Sequence, residues 1–193
     1  MNASNILDQI SRHISLDERE SLYFTSLLIP AKIKQGEYVE KIGSITQNFI
    51  YVESGCLMSY SADKKGDLHV IQFSTAGWWT GDLQSFTKKQ PAIYSTRALA
   101  ESAVFYLPKT DMDQLLDRYP KFEKYFRILF QNALITQLDR IIQNFSIPAE
   151  DRYERFRQKY PTFEQYVPLK YIASYLGITP EFLSKIRRRQ TEK

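Results

Sequence analysis

Over the first 28 residues the apolar positions recur at helical spacing. "ILDQISRHI" is amphipathic, and Ser15 with Glu18 three residues on forms a capping-box pattern ahead of "SLYFTSLL". From about Pro30 to Pro108 the texture changes. Short β-rich runs ("FIYVES", "CLMSYS", "HVIQFS", "YSTRALA", "AVFYLP") are divided by turn signals, and "ADKKGD" between two of them reads as a hairpin turn. Six of the seven glycines fall between Gly36 and Gly81. Many short strands at this spacing predict an all-β sandwich, jelly roll or barrel.

From Lys109 onward the pattern is helical. A long segment opens at Pro120, a favoured first helical position, and runs to about Phe145 before Pro148 ends it. Ile128, Ile135, Leu138, Ile142 and Phe145 follow heptad spacing with β-branched residues at the "a" positions. Phe122, Phe126, Leu129, Ala133 and Ile141 lie on a different face. A helix apolar on two faces needs two surfaces to cover it. Either it lies deep in the core of a monomer, or one face meets the β-domain and the other meets the same helix of a second subunit. The heptad stripe favours the dimer. Three shorter helices follow, in "PAEDRYERFRQKY", "LKYIASYL" and "TPEFLSKIRRR".

Composition narrows the class. Of the 193 residues, 43% are hydrophobic and 14% aromatic, enough for a packed core. The apolar runs fall far short of the ~20 residues that span a bilayer. The N-terminal stretch lacks the basic-then-apolar order of a signal peptide, and a single cysteine, Cys56, offers no internal disulfide. A cytoplasmic protein without membrane segments or cofactors is expected. The charge of +4 is unevenly placed. Residues 1–147 hold equal numbers of basic and acidic groups, whereas residues 148–193 hold 10 Lys/Arg against 6 Asp/Glu. The excess at the C-terminal end points to an anionic partner.

"VPLKYIASYLGITPEFLSKIRRR" reads as two helices around a tight turn. Ile172, Ala173 and Leu176 share one face, Gly177 supplies a left-handed turn residue, and Ile178 plugs the turn. Thr179 and Pro180 open the second helix, and Leu183 and Ile186 face back into the core. This is a helix-turn-helix pattern; a plain helical hairpin with a solvated basic end is the alternative. Glu181, Ser184, Lys185 and Arg188 recur at i, i+3, i+4 and i+7 as one exposed stripe. In a helix docked in the major groove, Lys185 suits guanine, Glu181 suits cytosine, and Phe182 suits a thymine methyl. Thr179, Ser184, Lys170, Arg187 and Arg189 suit phosphates.

A β-rich domain, a long helix and a terminal helix-turn-helix together resemble the Crp/Fnr family of bacterial transcription regulators. The resemblance is strongest in the last stretch and in the run from "FIYVESGCLMSYS" to "AVFYLP". It implies an α+β chain in three parts. Residues 1–119 would form a cyclic-nucleotide-binding-like jelly roll, residues 120–147 a dimerisation helix, and residues 148–193 an all-α helix-turn-helix domain. It also implies a homodimer on double-stranded DNA, and contact with RNA polymerase. The family's nucleotide signature runs Gly-Glu-Leu, then, after an interval, Arg-Ser or Arg-Thr. Here Gly81, Asp82 and Leu83 keep the first half with a shorter acid. Pro91, Ala92 and Ile93 stand at the second half, so the phosphate-pairing arginine is missing, and Arg97 lies further along the next strand. A buried phosphate without its cation is costly, so cyclic nucleotides are not the expected effector. Trp78 and Trp79, with Gly81, Asp82, Leu83, Ala92 and Ile93, are the candidates for lining a pocket for an unidentified small molecule. His13, His69 and Cys56 are scant haem ligands. The chain ends four residues past Arg189, so the family's C-terminal β-hairpin wing is not expected, and the usual arginine that opens the recognition helix is replaced by Pro180.

Two other classes leave different marks on a sequence. No Gly-rich phosphate loop, metal-spaced cluster or nucleophile–base pairing marks an enzyme. A ligand-binding or protein-interaction module whose terminal hairpin docks on protein would differ in its weak response to salt.

Overall fold

The computed structural model describes residues 3–191. Two N-terminal helices, α1 (Ser4–Ser11) and α2 (Glu18–Ser26), precede eight strands. These are β1 (Ile29–Ile33), β2 (Tyr38–Glu40), β3 (Asn48–Ser54), β4 (Cys56–Ala62), β5 (Leu68–Thr75), β6 (Trp79–Thr80), β7 (Ser95–Ala98) and β8 (Ser102–Pro108). A short helix, α3 (Leu83–Lys88), interrupts them between β6 and β7. Then come α4 (Lys109–Arg118), α5 (Lys121–Ser146), α6 (Ala149–Lys159), a 3-10 turn at Phe163–Gln165, α7 (Leu169–Tyr175) and α8 (Pro180–Thr191).

The strands make two four-stranded sheets, in the orders β1-β8-β3-β6 and β2-β7-β4-β5. β8 is central to the first. It pairs antiparallel with β1 (Ile29 opposite Tyr106) and with β3 (Ile50 opposite Tyr106). The unbroken apolar run "FIYV" in β3 follows from burial on both faces. Phe49 and Tyr51 point into a cluster with Ile6, Ile10, Phe24, Leu115 and Phe122 of the covering helices. Ile50 and Val52 point the other way, to Leu57 of β4 and Ala98 of β7, in the core between the sheets. Gly55 turns β3 into β4 at φ +88°, where a Cβ would overlap the Glu101 carbonyl and Ser102.

The compact units do not follow chain order. Residues up to Ser59 group with Phe73–Asn132, and Tyr60–Gln72 group with the residues from Ala133 on. In the first unit the capping box lies two residues beyond the expected place. Asp17, not Ser15, is the N-cap of α2, with Asp17 Oδ1 accepting from Glu20 N and Glu20 Oε2 accepting from Asp17 N, both at 2.8 Å. Glu20 also holds Lys121 at 2.7 Å, which ties α2 to the start of α5.

α5 is 26 residues long, roughly 39 Å at 1.5 Å per residue. Of its non-heptad apolar face, Phe122 and Phe126 are buried and Leu129 packs against the same cluster. Ala133 and Ile141 are exposed, so that face is covered only over its first half. No described helix is long and apolar enough to cross a membrane.

Candidate nucleic-acid interface

The second unit has its own core, built from Tyr153 and Phe156 of α6, Phe163, Val167, Ile172, Ala173 and Leu176 around α7, and Leu183 and Ile186 of α8. The turn between α7 and α8 is closed by two hydrogen bonds. Gly177 N–H donates to the Ser174 carbonyl at 3.1 Å, and Ile178 N–H to the Ala173 carbonyl at 3.0 Å. That pairing, with Gly177 at φ +67°, is the Schellman ending of a helix. Thr179 Oγ1 then accepts from Phe182 N at 3.2 Å and caps α8.

This geometry fixes which face of α8 is left outside. Leu183 and Ile186 are buried, while Glu181, Phe182, Ser184, Lys185, Arg188 and Arg189 are exposed. Lys170 on α7, Thr179 and Pro180 are also exposed. The Glu181 carboxyl is held below its ordinary range by its own backbone N–H and by the Thr179 hydroxyl, so it stays ionised at the N-terminus of the helix. Ser184 Oγ donates to the Pro180 carbonyl at 2.9 Å. Arg187 lies 3.9 Å from Glu164, and Arg189 lies 3.8 Å from Glu150. Both pairs are long and partly exposed, and such pairs contribute little.

A feature with no signal in the sequence joins this surface. Ser174 Oγ donates to the Leu68 carbonyl at 2.7 Å and accepts from Val70 N at 2.9 Å, fastening the β4–β5 hairpin to α7. A recess of about 570 Å³ lies between Gly66–His69 of the hairpin and the residues that open α8, Thr179 to Glu181. His69 is paired with Asp63 at 3.2 Å across the hairpin. The hairpin turn itself is legible as "ADKKGD"; its attachment through one serine is not.

The sequence-predicted effector residues sit in the first unit, and the structure divides them. Asp82 is 1% exposed. Its Oδ1 accepts from Ser85 N at 3.0 Å, capping α3, and its Oδ2 accepts from Ile93 N at 2.8 Å. Its own N–H donates to Glu40 Oε2 at 3.0 Å. Both carboxylate oxygens thus hold the loop that runs from α3 to Ile93. Ala92 is buried, while Leu83 and Ile93 are exposed. Gly81 keeps φ +141°, and its carbonyl accepts from the Tyr94 hydroxyl at 2.7 Å. Arg97 is placed on β7 opposite Tyr38. Trp79 is a core residue rather than a pocket wall: it stacks on Phe49 at 4.9 Å between ring centroids. Trp78 is half-buried. Cys56 is fully buried, and burial pushes its thiol up to about 12. A haem ligand set does not assemble from it, since His13 and His69 are exposed elsewhere. No group of three or more metal-ligating side chains occurs among the described residues.

Two facing antiparallel sheets with a capped helix in the loop between β6 and β7 define a cyclic-nucleotide-binding fold. Residues 30–119 match the model of the cyclic nucleotide-binding domain. Over most of its length the chain is similar to proteins named as regulators. Electron transport regulator A of Shewanella oneidensis is 24% identical over 170 residues, which cover 81% of this chain and 66% of that protein. The chain therefore spans about two thirds of the length of this relative. Among solved structures, FixK2 from Bradyrhizobium japonicum superimposes with a TM-score of 0.74 at 13% identity, over 86% of this chain and 85% of that one. A transcriptional regulator assigned to the Crp/Fnr family from Eubacterium rectale gives 0.70 at 17% identity, over 92% and 85%. At these identities the structural likeness is one of fold. These relatives are named as regulators.

Proposed function

We propose that the protein is a homodimeric transcription regulator of the Crp/Fnr type that reads double-stranded DNA with α8. The observation that carries this reading is the pair α7–α8. Its Schellman turn and shared core form a helix-turn-helix, and the face of α8 turned away from that core presents Glu181, Lys185 and Arg188 in one stripe. Lys185 and Glu181 address base edges, while Lys170, Thr179, Arg187 and Arg189 hold phosphates. The weak ion pairs of Arg187 and Arg189 yield readily to a phosphate oxygen, which makes a charge-assisted contact. Two copies joined along α5 would set half-sites about one helical turn, roughly 34 Å, apart.

The β-domain supplies regulation without a cyclic nucleotide. Asp82 is buried with both oxygens engaged by backbone N–H groups of its own loop, and Pro91-Ala92-Ile93 provides no cation for the phosphate. A different small molecule or a contact with RNA polymerase fills that role.

The test is selection of bound fragments from sheared genomic DNA, with the Glu181→Ala/Lys185→Ala double variant in parallel. A symmetric motif enriched by the wild type and lost in the variant supports the reading. Weak binding that ignores sequence, equal in both proteins, would favour a module that docks on protein instead.

A further inference from the structure

A recess of about 100 Å³ opens where the end of α5 meets α6 and α7, wholly within the second unit and separate from the exposed stripe of α8. Its lining holds four cations (Arg140, Arg152, Arg155 and Lys159) and one carboxylate, Asp139. The Asp139 carboxylate already accepts from the Gln143 amide. Arg152 spends its terminal nitrogens on main-chain carbonyls: Ile147 at 2.7 Å, Asn144 at 3.4 Å and Leu176 at 3.1 Å. Those carbonyls orient the guanidinium but leave its charge uncancelled. The Arg140 guanidinium lies over the Tyr175 ring, 4.9 Å from its centroid. The Nε atoms of both Arg140 and Arg152 are buried with no hydrogen-bond partner. Unmet donors of this kind cost stability unless something fills them. Lys159 is an exposed residue, but partial desolvation of its ammonium against the recess lowers its pKa, with Arg140 adding to this and Asp139 opposing. Partial desolvation and like charge both disfavour the cation, and a bound anion would offset them.

We propose that this recess binds a compact oxyanion of the phosphate class, inorganic phosphate or a phosphate monoester. The volume excludes a drug-sized ligand, whose pockets run to about 300–1,000 Å³. The guanidinium groups that line the recess carry the charge that suits a phosphoryl group. The recess spans the joint at Ile147 and Pro148, so its occupant ties the last turns of α5 to α6 and α7.

Arg155 and Lys159 are exposed at the mouth and belong to no core, so they can be changed without loss of fold. The full chain is titrated with inorganic phosphate against chloride at constant ionic strength, by calorimetry and phosphorus NMR, and methyl phosphate then tests the monoester. Saturable binding is expected in the wild type, weakened at least tenfold in Arg155→Gln/Lys159→Gln. Circular dichroism shows whether that variant is folded; if it is not, Arg155→Gln alone replaces it. Phosphate also stabilises proteins by exclusion from their surface, so a melting-point rise equal in wild type and variant counts against the site. Absence of saturable binding in the wild type, or unchanged affinity in the variant, overturns it. So does a variant that only flattens the salt dependence of DNA binding, since its cations would then serve the DNA backbone. Failure to bind DNA at all leaves the phosphate titration untouched, so the two readings fail separately.

Discussion

The indole N–H of Trp79 donates to the Tyr125 hydroxyl at 2.9 Å, joining β6 to α5 inside the core of the first unit. Both side chains are almost fully buried, and burial pushes the Tyr125 phenol up to about 12. Removing only the hydroxyl strands a buried donor at the price of about 1–3 kcal/mol. Tyr125→Phe is therefore expected to lower the urea midpoint by that order with an unchanged far-ultraviolet spectrum. An unaltered midpoint would show that water replaces the hydroxyl.

Gly177 makes a second, independent demand. A Cβ there would come no nearer than 3.8 Å to the Asn144 side chain, an ordinary contact. The constraint is the backbone at φ +67°, which costs an L-residue about 1–2 kcal/mol. Gly177→Ala should destabilise the second unit by that amount, and Gly177→Asn by less, because asparagine tolerates this conformation. Equal losses for the two would point to steric crowding instead.

These two sites differ in how they could be read from sequence. Gly177 sits between apolar positions whose spacing marks the end of one helix and the start of the next, so its role is local and legible. The long helix and the three shorter helices after it are legible for the same reason. Trp79 is not, because its partner Tyr125 is 46 residues away, and a tryptophan beside a glycine loop looks the same whether it lines a pocket or fills a core. The capping box fell on Asp17 rather than Ser15 because both carry a suitable oxygen with a glutamate three residues on. What separates them is tertiary: Glu20, the box partner of Asp17, is also the one that reaches Lys121. Asp82 was legible as an acid in the right place. That its two oxygens accept from Ser85 and Ile93 was not, since those partners are brought to it only by the folded loop.

Glu40 anchors that loop through the Asp82 N–H and accepts from the Thr46 hydroxyl. Burial raises its carboxyl above the ordinary 4.5, and the nearby Asp82 charge adds to this, against the lowering by Thr46 and the Asp82 N–H. Between the ordinary and the raised value the native state holds a proton that the unfolded chain has lost. Stability conferred by this group is then full below 4.5 and declines as pH rises through the raised value. Glu40→Gln removes the titration, so its unfolding free energy, measured by urea through this range, should fall less with rising pH than that of the wild type. Parallel curves for the two proteins would show that Glu40 ionises freely in the fold.

The last expectation concerns α5. Leu134, Ile135, Leu138, Ile141, Ile142 and Phe145 are all exposed, Phe145 by 88%, whereas Ile128 at the other end of the stripe is half-buried. A run of large apolar side chains in water marks a surface that is covered by something. Each such side chain contributes about 1.5–3 kcal/mol when fully buried, so four or five of them supply an energy of the order that association costs. Ile135, Ile142, Leu138 and Phe145 keep the heptad register, with β-branched residues at the positions that favour two strands. Ile135→Glu/Ile142→Glu places like charges in that seam. The double variant should sediment as a folded monomer where the wild type sediments as a dimer, and its affinity for a two-fold-symmetric DNA site should fall while binding to a single half-site stays the same. A monomeric wild type at micromolar concentration, with no dimer induced by DNA, would detach the apolar stripe from self-association and leave α5 to pack against a different protein.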